Sequence, residues 1–249
     1  MGKSSKASKS EVKDRRAVVE QMRREQQRAE KKRTYAIIGA CAVVGLVIIG
    51  AALYPVLKQN QVASGDLETI GASAGQAGCQ DVTTAPASGS ADHKPEGEKI
   101  FYEDAPPAFG PHYAITAPIT RKFYTADDRP QVEQLVHNLE HGYNILWYDE
   151  TVADDDDLLN QVRAITTKFP GATDPANKFI AAPWTADDGE PFPDGTHVAL
   201  THWSVGGEPG GDPSEQEGIW QYCEAPSGEA VSSFVDDYPY TDSPEPGAA

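Results

Sequence analysis

Residues 35 to 57, YAIIGACAVVGLVIIGAALYPVL, form 23 consecutive positions without a charged side chain. As a helix rising about 1.5 Å per residue, such a run extends roughly 34 Å, enough to cross the hydrocarbon core of a bilayer. The residues before it are of the opposite character. The first 33 hold twelve Lys or Arg against five Asp or Glu and contain no apolar run. A cleaved signal peptide has a short basic region and an apolar stretch of about 7 to 15 residues, so both lengths argue for an uncleaved signal anchor. Lys and Arg crowd the N-terminal flank, whereas only Lys58 follows closely on the other side. The positive-inside rule then places the N-terminus in the cytoplasm and the C-terminal domain outside a single-pass cell membrane protein. The expected organisation is a basic cytoplasmic arm over 1–34, a transmembrane helix over 35–57, a flexible extracytoplasmic linker over 58–98, a folded extracytoplasmic domain over 99–238 and a C-terminal tail over 239–249.

Setting aside the basic arm leaves nine basic against 33 acidic residues, a net charge of about −24 outside the membrane. A field of that sign repels phosphate, which excludes nucleic acid as a partner of the outer domain, and it attracts cations. An acidic surface also serves solubility alone. The arm itself, rich in Glu, Gln, Lys, Arg and Ala, favours a helix. Its basic cluster suits anionic lipid headgroups at about 1 kcal/mol per residue, so membrane lipid is the expected partner at the anchor. Of the three cysteines, Cys41 falls within the span, while Cys79 and Cys223 are the two outside it. An oxidising compartment lets those two pair, closing a loop of about 145 residues worth roughly 5 kcal/mol in the chain-entropy view.

Residues 58 to 98 are dominated by Ala, Gly, Ser, Gln and Thr and read as a tether that Cys79 pins, with His93 facing solvent. The folded part opens with PPAFGPHY, residues 106 to 113, a loop stiffened by Pro and Gly that can present His112 rigidly. PQVEQLVHNLEH follows as a short helix with Pro130 suited to its first turn and Gly142 to the position after its last. YNILWY reads as a strand, and LLNQVRAITTKF as a helix begun by the aspartates 154 to 157 and stopped by Pro170 and Gly171. Those aspartates lack the alternation and glycine of a calcium loop. KFIAAPW and HVALTHW read as two strands, and a final helix lies in SEQEGIWQYC or EAVSSFVDDY. The fold class is therefore α+β, a small mixed sheet packed with helices and similar to the latter part of a thioredoxin-like arrangement. No Cys-x-x-Cys pair supports thiol chemistry of that type.

The chemistry centres on HNLEHG, residues 137 to 142. At about 100° per residue, His137, Glu140 and His141 share one helix face, while Val132, Leu135, Val136 and Leu139 gather on the opposite one. The apolar face would fix the helix on the sheet and leave two imidazoles at i and i+4 to clasp one ion. The plain alternative is a solvated polar face, with His141 favoured near the helix C-terminus by the dipole. A third ligand has to come from elsewhere. His112 is the first choice, His202 at a strand end the second, and His197 after PDGT reads as an exposed turn residue. His112, His137 and His141 together would hold zinc or copper with an open position, and Glu140 would orient a ligand or act as the catalytic base. The pattern H-x-x-E-H also matches the inverzincin protease signature, with Glu208, Glu215 and Glu217 as third-ligand candidates, although about 140 folded residues is small for that class.

PPAFGPHY, VEQLVHNLEHGYNILWYD, the strand ending in ALTHW and the closing FVDDYPYTDSPEP together resemble a bacterial, largely actinobacterial, family of membrane-anchored proteins catalogued as domain of unknown function 3105. The resemblance spans about residues 98 to 246 and is strongest in VHNLEHGY. It implies that His112, His137, Glu140, His141 and Gly142 stand in the family's hallmark motifs. Ala108 and Phe109 occupy positions where small hydroxyl residues are expected, and His202 precedes Trp203 where a small residue is expected, so the resemblance lends His202 no support as a ligand.

Three functions follow as expectations. The first is an extracytoplasmic metal-binding domain holding zinc or copper. The second is a noncatalytic accessory or interaction subunit of a cell-envelope membrane complex, docking through Tyr143, Trp147, Trp184 and Trp203 unless these strand aromatics belong to the core. The third is a metal-dependent hydrolase.

Overall fold

The computed structural model describes residues 4–87, 91–206 and 215–248. The chain divides into two compact units, Met1–Lys58 and Gln59–Ala249. A single helix, α1, runs Ser4–Ala63 through the first unit into the start of the second. Its apolar stretch is exposed: Leu46, Val47 and Ile48 are each more than 60% accessible. One N-terminal helix is thus long and apolar enough to span a membrane. A helix that is hydrophobic all round finds its matching solvent only in lipid or in a protein core.

The second unit is built on a five-stranded mixed sheet in the order β1-β7-β6-β4-β5. Its strands are β1 (Thr83–Pro86), β4 (Asn144–Tyr148), β5 (Phe179–Pro183), β6 (Val198–Ser204) and β7 (Glu217–Cys223). Strands β4 and β5 are parallel, whereas β6 is antiparallel to both β4 and β7, and β1 is antiparallel to β7. A separate two-residue parallel pair joins β2 (His93–Lys94) to β3 (His112–Tyr113).

Side chains of β4 alternate between two cores as a twofold strand period requires. Leu146 and Tyr148 face one side, with Val162 and Ile165 of α4 (Asp156–Thr166) and Val231 and Phe234 of α5 (Gly228–Asp237). Ile145 and Trp147 face the other, with Leu135, Val136 and Leu139 of α2 (Val132–Glu140). The short helix α3 (Glu150–Ala153) precedes α4. Of the aspartate run, Asp155 caps α4 by accepting from the backbone N–H groups of Asp157 and Leu158 at 2.9 and 3.0 Å. Tyr143, Trp147, Trp184 and Trp203 all lie in the core, so none is available for docking.

Three expectations change. SEQEGIWQYC supplies β7 rather than a helix, because both of its faces are covered by core residues, and the closing helix is the one in EAVSSFVDDY. The stretch 58–98 does more than tether. A 3-10 turn at Leu67–Thr69 leads to the buried Ile70, whose carbonyl accepts from Gly228 N–H at 2.8 Å, and Thr83–Pro86 forms the edge strand β1. Gly228 permits that approach, since a Cβ there would meet Leu67 O at 1.8 Å. A disulfide between Cys79 and Cys223 fastens this segment to the end of β7. Few apolar residues are needed where a covalent link and sheet pairing hold a segment. The C-terminal stretch 239–248 is likewise not a free tail. Asp242 and Ser243 are buried, and the Asp242 carboxylate accepts from Ser204 Oγ at 2.7 Å and Val205 N–H at 3.0 Å.

Candidate metal centre

Helix α2 is placed by its apolar stripe and by its ends. Gln131 N–H donates to Gln134 Oε1 at 3.2 Å at the start, and Asn138 exchanges two hydrogen bonds with the Ala117 backbone at 2.8 and 3.0 Å. Gly142 ends it with φ +86°, a left-handed conformation in which a Cβ would meet Tyr240 O at 2.3 Å. The C-terminal strap therefore lies directly on the helix end. As a result the polar face of α2 is not wet: His137, Glu140 and His141 are all buried.

The loop carrying His112 is pinned from several sides. Trp220 Nε1 donates to Pro106 O at 2.8 Å, Tyr222 Oη to Ala105 O at 3.0 Å and Tyr102 Oη to Pro111 O at 2.7 Å. Ala108 is fully buried, and the Phe109 ring packs edge-on against Trp203 and Trp220. The two positions at which small hydroxyl residues were expected are therefore packing positions in this chain.

The loop and the helix bring His112, His137 and Glu140 together, and β2 adds His93. One ligating atom from each of the four lies within 4.8 Å of those of the other three. His112 and His137 stack with ring centroids 4.6 Å apart, and His93 lies 5.0 and 4.9 Å from these two rings. His93 was read as a solvent-facing linker residue. It remains the exposed member of the group, but its register opposite His112 in the parallel pair carries it to the cluster.

The orientation of the His112 ring is set by its surroundings. Its Nδ1 lies 2.8 Å from Gly110 O, which can only accept, so Nδ1 carries the proton. Its Nε2 points inward, 3.0 Å from Glu140 Oε2. His137 Nε2 lies 3.8 Å from the same carboxylate oxygen, and its Nδ1 is buried without a hydrogen-bond partner. Burial, followed by the neighbouring His112 and His141, pushes the His137 imidazolium down to a pKa of about 4, against the opposing pull of Glu140. Burial alone would raise the Glu140 carboxyl, but the three imidazoles around it outweigh that and hold it below its usual value. The shifts of His137 and Glu140 thus favour a neutral imidazole and a carboxylate, the forms in which each binds a borderline metal ion.

His141 stands beside His137 and Glu140, as the helical wheel expects, but falls in a second group. Helix α2 ends at Glu140 and His141 is its C-cap. It stays close to His137, 4.4 Å between centroids, but groups with Glu140 and Glu245, whose carboxylate is 3.5 Å from its Nε2. His202 is buried elsewhere, with Nε2 donating to Asp242 O at 2.5 Å, and burial depresses its pKa. His197 Nδ1 pairs with Asp149 Oδ2 at 2.8 Å rather than standing free. Glu215 and Glu217 belong to neither group, and Glu208 lies outside the described residues. Glu245 had no signal in the sequence, being one acid in a Pro-rich terminus.

A family model described as "Protein of unknown function (DUF3105)" matches residues 93–249. The chain belongs to that family. The match begins at His93 and takes in every residue of both histidine and glutamate groups. No curated protein and no solved structure matches the chain.

Proposed function

We propose that this family member is a membrane-anchored extracytoplasmic protein whose folded unit binds a zinc or copper ion through His93, His112, His137 and Glu140. The observation that carries the reading is the convergence of four ligating groups from a loop, a helix and a short strand pair: their ligating atoms lie within 4.8 Å of one another, with His112 Nε2 buried 3.0 Å from Glu140 Oε2 and His137 Nδ1 buried without a hydrogen-bond partner. In the neutral ring that a metal ion binds, the Nε2 lone pair and the Glu140 carboxylate both face the same point, and a cation there compensates both. The Gly110 carbonyl fits the second part of such a site, since a metal-bound imidazole commonly donates its other N–H to a carbonyl that fixes ring and tautomer. Three imidazoles and a carboxylate suit zinc or copper better than magnesium.

The anchored arrangement is supported by the exposed apolar helix, the basic flank before it and the disulfide in the unit after it, a bond that persists in oxidising compartments. The four strands β7, β6, β4 and β5 support a thioredoxin-like sheet, because β6 alone runs against the other three and helices cover both faces. That likeness concerns topology, as the two cysteines of the unit are engaged with each other across 144 positions.

Elemental analysis of the full chain, exported and purified in detergent, tests the metal. Zinc or copper should be present at one or more ions per chain and fall sharply in His112→Gln and His137→Gln. Metal content untouched by both substitutions would contradict the reading.

A further inference from the structure

The two candidate groups share one residue. His93, His112, His137 and Glu140 form the first, while Glu140, His141 and Glu245 form the second. We infer that the site holds two metal ions bridged by the Glu140 carboxylate, the second ion bound by His141 and Glu245; this rests on the metal-binding reading above.

Three observations carry it. First, a carboxylate has two oxygens and can give one to each of two ions, the geometry that sets paired ions roughly 3.5 to 4 Å apart. The Glu140 Oε2 already faces His112 and His137. Second, His141 is buried and stands beside His137, yet its Nε2 is turned to Glu245. It belongs to the rim of the first group without joining its ligands. Third, Glu245 is delivered to this place by backbone and not by chance of a surface side chain. Its N–H donates to Glu140 O at 2.9 Å. Lys178 Nζ, itself buried, then clamps the strap by donating to His141 O at 2.8 Å, Pro246 O at 3.1 Å and Ala248 O at 2.7 Å. The same lysine thus ties the residue that ends α2 to the residues that follow Glu245. One imidazole and two carboxylates make a harder donor set than three imidazoles, so the second position suits a divalent cation such as zinc or manganese.

Glu245 is half exposed, so Glu245→Gln tests the second ion with little risk to folding. Zinc stoichiometry would be measured on the full chain in detergent, after stripping and reloading with zinc alone, for the wild type, Glu245→Gln, His141→Gln and Glu140→Gln. The expected counts are two ions in the wild type, one in Glu245→Gln and in His141→Gln, and a loss of affinity at both positions in Glu140→Gln. Loading with copper(II) gives a second readout: the wild type should show a spin-coupled pair by electron paramagnetic resonance, and Glu245→Gln an isolated copper signal. One ion in the wild type, unchanged by Glu245→Gln, would overturn the paired site while leaving the first ion intact. Two ions retained in both Glu245→Gln and His141→Gln would overturn the assignment of its ligands. No ion in the wild type would overturn the metal-binding reading itself.

Discussion

The Nε2 of His112 and the Oε2 of Glu140, brought from a Pro/Gly loop and a helix end, lie 3.0 Å apart with both side chains enclosed. Glu140→Gln keeps the volume and removes the charge. Even outer-shell partners of metal ligands are worth about 10- to 100-fold in affinity, so loss of this carboxylate should weaken zinc binding by on the order of 100-fold or more in calorimetric titration. Unchanged affinity would remove Glu140 from the ligand set.

Acid should destabilise the metal-free protein. The His137 pKa falls from the ordinary 6.5 to about 4 in the folded state, so between those values the unfolded chain binds the extra proton. Stability is then complete above about pH 6.5 and lost as pH falls toward 4. His202, also lowered by burial, acts in the same direction. Glu140, with its carboxyl lowered, adds a further loss once pH drops through its folded value. Denaturant midpoints measured from pH 7.5 to 4 should fall steadily, and His137→Gln should flatten part of that slope.

Breaking the disulfide between Cys79 and Cys223 releases the segment that carries Ile70 and β1. Cys79→Ser with Cys223→Ser should lower unfolding stability by about 2–5 kcal/mol. Wild type in reductant should behave like the double variant, as read by chemical denaturation.

Gly142→Ala imposes a side chain at φ +86° and drives its Cβ into Tyr240 O. The strain and the displaced strap should cost about 1–3 kcal/mol in denaturation midpoints. Hydrogen exchange at Glu245 N–H, which donates to Glu140 O, should quicken in the same variant.

Lys178→Met removes three donors to the carbonyls of His141, Pro246 and Ala248. The end of the chain should become open to carboxypeptidase trimming, while the sheet keeps its wild-type circular dichroism.

The long apolar helix, the main strands and α2 were legible because long apolar runs, twofold alternation and a one-sided stripe are local signals. His112, His137 and Glu140 were legible as chemistry, and the stop at Gly142 followed from its position after the last apolar residue. His93 was not, because a two-residue parallel pairing with β3 leaves no period in a tract of Ala, Ser and Gly. His141 was legible as a neighbour of His137 and Glu140, while its grouping with Glu245 was not. Glu245 and the segment around Ile70 are held by tertiary bonds, from Glu140 O, Lys178 and the disulfide, which composition cannot announce.

The most direct test of the central claim is anomalous diffraction from crystals of the protein loaded with zinc, with data on both sides of the zinc absorption edge. The account predicts an anomalous peak about 2.0–2.2 Å from His112 Nε2 and a nitrogen of His137, with a Glu140 oxygen in the same shell. Well-ordered density for these three side chains with no anomalous peak among them would contradict it.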